Sequence, residues 1–245
     1  MPEICGKSVL GNELFQIEVA KYLCGWLFCT DASDLLIQLY SELGKQEPAA
    51  NEKTLAIWKD EKFLNPDFRE LLKHKNFAFD LPVWLNADDA KNKMMIISKE
   101  PCHTNQVNLE KGSLAINMPR SLNNPKLKSI WQTFLKNSIS LYFTELKKFY
   151  VNNEGEGHNK IYKVINKLSK EEIESRFNNT VSNEISIFKP DYILFVDSIF
   201  SPEYELLVEE IKSKKIPCDY IMDPVNHSAT AEIYNRKTKE ILSQL

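Results

Sequence analysis

The stretch MMIISKEPCHTNQ, from Met94 to Gln106, places an acid, a thiol and an imidazole directly after a run of apolar residues. The carboxylate of Glu100 is of the type that orients a water molecule or stabilises developing positive charge. Cys102 is a weaker candidate for a nucleophile, because the neighbouring His103 is the only residue of the pattern that would activate its thiol. An apolar strand that ends in these residues is typical of the edge of an active site.

Further apolar strands follow along the chain, and polar residues stand at their ends. Besides KMMIIS, we predict strands at Ile139 to Leu146, Asp191 to Ser198 and Cys218 to Pro224. Helical patterns lie between them, and one begins with a capping box made by Ser169 and Glu172. Strands that alternate with helices predict an α/β fold, a three-layer α/β/α arrangement with a central, mostly parallel four-stranded sheet. Ligand sites in such sheets lie at the carboxyl ends of the strands.

The pattern along the chain also predicts its division into two parts. Residues 1–75 carry apolar residues at three- and four-residue spacing, in ELFQIEVAKYLCGWLF and ASDLLIQLYSEL, which predicts a helical N-terminal region packed on the core. Residues 76–245 form the α/β domain. A later helix is expected to have Ser201 as its N-cap and Pro202 as its first residue.

Composition limits the class of protein and its partners. The 5 cysteines are odd in number and scattered without a C-x-x-C pair, which argues against a disulfide framework or a four-cysteine metal site and favours a cytoplasmic protein. The apolar run YLCGWLFC is too short to span a bilayer, and the N-terminus lacks the basic region of a signal peptide. We expect a monomer that does not associate with a membrane and that uses no metal ion and no cofactor. Because the net charge is -3, a nucleic-acid partner would require a local basic face.

Six segments of the chain occur in an order that resembles the uracil-DNA glycosylase superfamily. They are IISKEPCH, GSLAINMP, NNPKLKSIWQTF, LYFTELKKF, DYILFVDS and MDPVNHSAT. The similarity covers about residues 75 to 245 and lies in the order, spacing and strand context of these motifs. It implies an enzyme of DNA repair that flips a base out of the duplex and hydrolyses its glycosidic bond.

The resemblance assigns the first motif to catalysis and base binding. Glu100 stands where the family has the Asp that orients water, and its extra methylene could move that water by about 1 Å. The alternative is that Glu100 caps a turn or pairs with Lys99. Cys102 replaces a Tyr that closes the pocket at pyrimidine C5, so either the pocket admits a C5-modified base or it is no longer used. Lys99 and His103 complete the substrate-binding part of this motif.

Two later positions of the resemblance concern the flipped base itself. Ile116 stands where the family has a stacking Phe, so the aromatic face for the base must come from another residue or is lost. Glu145 stands at the position of the base-reading Asn. An ionised Glu is acceptor-only, so it is suited to accept from an amino group such as cytosine N4 and not to read uracil. The alternative is that Glu145 is a surface residue.

The last motif and a basic segment complete the implied site. Asp223 replaces a His that holds the departing base oxygen; His227 is the candidate to take over that role, or else an ordinary surface residue. Ser228 is a phosphate ligand by resemblance or a helix cap. Six of the seven charged residues between Arg120 and Lys148 are positive, which predicts a DNA-binding face unless they form an ordinary solvated helix face. The DNA contacts predicted there are Arg120, Lys126 and Lys128.

The sequence leaves three candidate classes of function. The first is a base-excision enzyme for a modified or damaged pyrimidine. The second is a catalytically inactive protein of the same fold that binds DNA or a protein, motivated by the simultaneous change of several motif residues. The third, an unrelated α/β hydrolase or nucleotide-binding protein, lacks support because the chain has neither a P-loop lysine motif nor a G-x-S-x-G elbow.

Overall fold

The computed structural model describes residues 77–79, 82–85, 89–99, 125–147, 149–151, 169–196, 204–222 and 230–245. The predicted helical region 1–75 and the predicted helix start at Ser201 lie outside the described residues.

The described elements are strands and helices that largely alternate from β3 onward. The strands are β1 (Phe77–Phe79), β2 (Val83–Leu85), β3 (Asn92–Ser98), β4 (Ile139–Glu145), β5 (Phe149–Val151), β6 (Tyr192–Val196) and β7 (Cys218–Ile221). The helices are α1 (Pro125–Lys136), α2 (Lys170–Phe188), α3 (Glu205–Ser213) and α4 (Ala231–Leu242). The α/β class predicted from the sequence is therefore confirmed.

The main sheet has five strands in the order β2-β4-β3-β6-β7. Strand β3 pairs in parallel with both β4 and β6, and β7 pairs in parallel with β6. These are the four predicted strands. The predicted number was nevertheless one too small, because β2 adds an antiparallel strand on the outer side of β4. Its three residues are too few to produce an alternating pattern that identifies a strand in the sequence.

The central strands are buried on both faces of this sheet. In β3 the residues from Met94 to Ile97 have no exposed surface, and every residue of β4 and β6 is buried. Such near-continuous apolar runs are the sequence signature of parallel strands covered on both sides.

Contacts with the helices identify which residues face which side of the sheet. On one face the ring of Trp131, in α1, meets Phe143 edge to face with 5.4 Å between the ring centroids. On the other face Thr144 donates a hydrogen bond to Glu184 of α2. Because successive residues of a strand point to opposite sides, these two contacts fix the orientation of all of β4.

A second pair of helices packs beside the first. On the α2 side, the core cluster includes Leu207 and Ile211 of α3. Helix α4 packs against α1, and its Tyr234 hydroxyl donates to the Met222 carbonyl at 3.1 Å. No helix among these described residues is long and apolar enough to cross a membrane.

The ends of α2 follow local sequence signals. The predicted capping box is confirmed: Ser169 accepts from the Glu172 amide, and the Glu172 side chain accepts from the Ser169 amide. At the other end Lys189 adopts the left-handed conformation (φ 52) and its amide donates to the carbonyl of Ile185. This residue turns the chain from α2 toward β6.

A small polar network joins α2 to α3. Lys214 lies 2.7 Å from a carboxylate oxygen of Glu210, and the Ser182 hydroxyl donates to the other carboxylate oxygen. Burial raises the pKa of Glu210, but hydrogen bonds from Lys214 and Ser182 and the Lys214 charge outweigh it, so the pKa lies below its ordinary value of 4.5. The ionised form of Glu210 is thus stabilised in the folded protein.

This lowered pKa predicts a pH-dependent contribution to stability. The contribution is fully present above the unfolded pKa near 4.5 and is lost as the pH falls through the lower folded value. We expect Lys214→Met to lower the free energy of unfolding more at about pH 7 than at about pH 3. Urea titrations over this range measure the effect. The control is Lys212→Met, at an exposed position in the last turn of α3, and an equal pH dependence in both variants would contradict the prediction.

Candidate functional site

The carboxyl ends of β3, β4, β6 and β7 lie at one edge of the main sheet, because these four strands are parallel. Helix α1 ends at Lys136, two residues before the start of β4, so its first turn lies toward this carboxyl edge. Helices α2 and α3 likewise end shortly before β6 and β7, so their first turns also lie toward the carboxyl edge. The last residue after α4, Leu245, accepts a hydrogen bond from Asn92 at the amino end of β3, so the first turn of α4 lies toward the carboxyl edge as well. The residues that end β3 and β4 are therefore the described part of the candidate site.

Glu145, the last residue of β4, is completely buried at this edge. It points to the side of α1, because the preceding Thr144 points to α2. The alternative that Glu145 is a surface residue is therefore wrong, whereas its role as a base-reading residue stays a prediction. Removing a carboxylate from water costs free energy. Buried ionisable residues are found disproportionately at functional sites.

Ser98, the last residue of β3, is the lateral neighbour of Glu145. The two residues are register partners in the parallel pairing of β3 with β4, so their side chains share the α1 side. Ser98 is 5% exposed and Glu145 is 0% exposed. A hydroxyl and a carboxyl group thus lie side by side, directly after the apolar pair of Ile96 and Phe143 on the same face.

Two further backbone hydrogen bonds hold this pair of strand ends together. The Leu146 amide donates to the Ser98 carbonyl at 2.7 Å, and the Lys147 amide donates to the Lys99 carbonyl at 3.0 Å. The pairing therefore continues beyond the end of β4, which limits the movement of Glu145 relative to Ser98. Both lysines are half-buried, so solvent begins within two residues of the buried pair.

A second buried carboxylate, Glu184, lies on the opposite face of the sheet. It is 1% exposed, and its Oε2 atom accepts from the Thr144 hydroxyl at 2.6 Å. Glu184 is not among the site residues predicted from the sequence. A signal was nevertheless present, because Glu184 falls on the same helical stripe as Val181, Ile185 and Phe188.

Two basic residues in the first turn of α1 lie toward the carboxyl edge and are in contact with solvent. Lys126 is exposed and Lys128 is half-buried, and the first turn of α1 contains no acidic residue. The first turn of a helix carries partial positive charge of its own, which reinforces that of the two lysines. Of the predicted site residues, these two lysines, Lys99 and Glu145 are described, and all four lie toward the carboxyl edge.

The other predicted site residues lie outside the described residues. They are Glu100, Cys102, His103, Ile116, Arg120, Asp223, His227 and Ser228. Within the ranges that the structure describes, no group of three or more His, Cys, Asp or Glu side chains is arranged to hold a metal ion.

Cys218 is the described cysteine, and it lies away from this edge at the start of β7. Burial raises the pKa of its thiol and the neighbouring Asp219 raises it further, while Lys212 acts in the opposite direction. A thiol with a raised pKa carries little thiolate near neutral pH, so Cys218 is a poor nucleophile.

Comparison of the chain with protein-family models, curated proteins and solved structures finds no match.

The contact between Thr144 and Glu184 predicts a specific stability effect. Thr144→Val keeps the shape of the side chain but removes the donor to a buried carboxylate, so we expect a loss of about 1–3 kcal/mol in the free energy of unfolding. Thr133→Val is the matched control, because the Thr133 hydroxyl bonds locally to the Ser129 carbonyl at the helix surface. Equal losses for both variants in urea denaturation would contradict this account of the buried bond.

Proposed function

We propose that the protein is a DNA base glycosylase that acts on a flipped, modified or damaged pyrimidine. The observation that carries this proposal is the buried carboxyl of Glu145 at the carboxyl edge of the sheet, in the position that the resemblance assigns to base reading. The proposal includes the three-layer α/β/α arrangement, which is supported by the contacts of α1 with one face and of α2 with the other.

The reaction is hydrolysis of the bond between the sugar C1′ atom and the base nitrogen. As the bond breaks, positive charge develops on the sugar and the electron pair leaves with the base. The carboxylate of Glu100 stabilises this charge and orients the water that adds to C1′, while His227 donates to the departing base oxygen. A proton from the water neutralises the departing base, so the products are a free base and an abasic site.

Recognition of the base is the role of Glu145 in this proposal. Its carboxylate accepts a hydrogen bond from the exocyclic amino group of a cytosine-type base. The family's Tyr is replaced by the much smaller Cys102, which leaves room for a substituent at C5. Together these two features favour a C5-modified cytosine over uracil.

The basic residues of the edge would hold the phosphate backbone near the site. Lys126 and Lys128, with Arg120 before them, provide charges that neutralise phosphates without reading the sequence. In the alternative, the protein binds DNA through the same lysines but is catalytically inactive.

Product formation on defined oligonucleotides tests the catalytic part. Duplex and single strands that carry uracil, oxidised pyrimidines or C5-substituted cytosines are incubated with the full chain, and abasic sites are detected as strand breaks after alkali. We expect excision of a cytosine-type base and a loss of about 100-fold or more in rate for Glu100→Gln, because the charge beside the reacting sugar is removed. Absence of product with every base, while DNA is still bound, would instead establish the inactive alternative.

The salt dependence of DNA binding tests the basic face independently of catalysis. Each lysine that contacts a phosphate adds about 1 to the slope of log K against log salt, so Lys126→Ala with Lys128→Ala should reduce the slope by about 2. The matched control is Lys212→Ala with Lys239→Ala, which removes two exposed lysines near the C-terminal ends of α3 and α4. Equal reductions in both double variants would show that net charge, and not this face, governs binding.

A further inference from the structure

Ser98 lies directly beside Glu145, the proposed base-reading residue. It is 5% exposed, shares the α1 side of the sheet with the completely buried Glu145, and is its register partner across neighbouring strands. Neighbouring strands are about 4.8 Å apart, which lets two such side chains contact adjacent atoms of one planar ring.

The two side chains have complementary hydrogen-bonding capacity. An ionised carboxylate only accepts hydrogen bonds, whereas a Ser hydroxyl donates one and also accepts. A 4-aminopyrimidine presents an amino donor at C4 and an unprotonated acceptor at the adjacent N3 atom. If the amino group donates to Glu145, the N3 atom still requires a donor, and a carboxylate cannot supply it.

We propose that Ser98 is a specificity-determining residue that donates a hydrogen bond to N3 of a 4-aminopyrimidine held by Glu145. This inference rests on the proposed function, since it uses the same base pocket. A 4-oxopyrimidine in that orientation presents O4 to the carboxylate and N3–H to the hydroxyl, so the oxygen faces an acceptor-only group. The buried pair thus favours the amino base and disfavours its oxo counterpart.

Binding of free bases tests this inference without requiring catalysis. Isothermal titration of the full chain with 5-methylcytosine and with thymine compares two bases that differ at the C4 and N3 positions. We expect tighter binding of 5-methylcytosine, a loss of about tenfold in Ser98→Ala, and retention of the preference in Ser98→Thr, which keeps the hydroxyl.

Ser140→Ala is the matched control for packing. Ser140 is 1% exposed and lies in the same sheet, near the amino end of β4. The inference is wrong if Ser140→Ala loses the same affinity as Ser98→Ala, if Ser98→Ala binds like the unaltered protein, or if both bases bind equally well.

The outcomes also separate this inference from the proposed function. Selective binding that depends on Ser98, without any abasic product, would support the inference and refute hydrolysis. Excision that is indifferent to Ser98→Ala would support hydrolysis and overturn the inference. If no base binds and no abasic site forms, both are wrong.

Discussion

The parallel pairing of β3 with β4 and β6 is the constraint on which the described structure depends. A strand with a neighbour on each side and side chains buried on both faces cannot accept polar residues along its length without a large cost. Polar groups of β3 are therefore confined to its ends, and Ser98 lies at the carboxyl end, where β4 contributes Glu145. The pairing that builds the core thus also positions the candidate site.

Two buried carboxylates, Glu184 and Glu145, lie near the carboxyl ends of the parallel strands. The surroundings of Glu184 are explained by its contribution to the fold alone. Glu184 accepts from the Thr144 hydroxyl at 2.6 Å, a contact that ties α2 to the sheet. Glu145 lies on the other face, beside Ser98 and on the side of α1, whose first turn contains Lys126 and Lys128. The difference in surroundings follows from one step along β4, because Thr144 and Glu145 point to opposite faces. We therefore assign a structural role to the first carboxylate, whereas the second is the one to which the proposed function gives base recognition.

Local signals in the sequence were sufficient for much of the fold. Continuous apolar runs predicted the four parallel strands, and the spacing of Ser169 and Glu172 predicted the start of α2. Strand β2 was missed because its three residues carry too little pattern, and its pairing with β4 depends on distant contacts. Glu184 was missed although its helical stripe predicts burial, because the sequence does not reveal which donor will meet its carboxyl group.

By itself, the sequence determined the α/β class, the parallel strands and the presence of an acidic residue at the end of β4. These properties depend on residues close together along the chain, where periodicity and capping act. Only the tertiary structure decided that Glu145 is buried, that it faces α1, and that Ser98 is its neighbour. Burial and register depend on residues far apart in sequence, since Ser98 and Glu145 meet only when β3 and β4 pair.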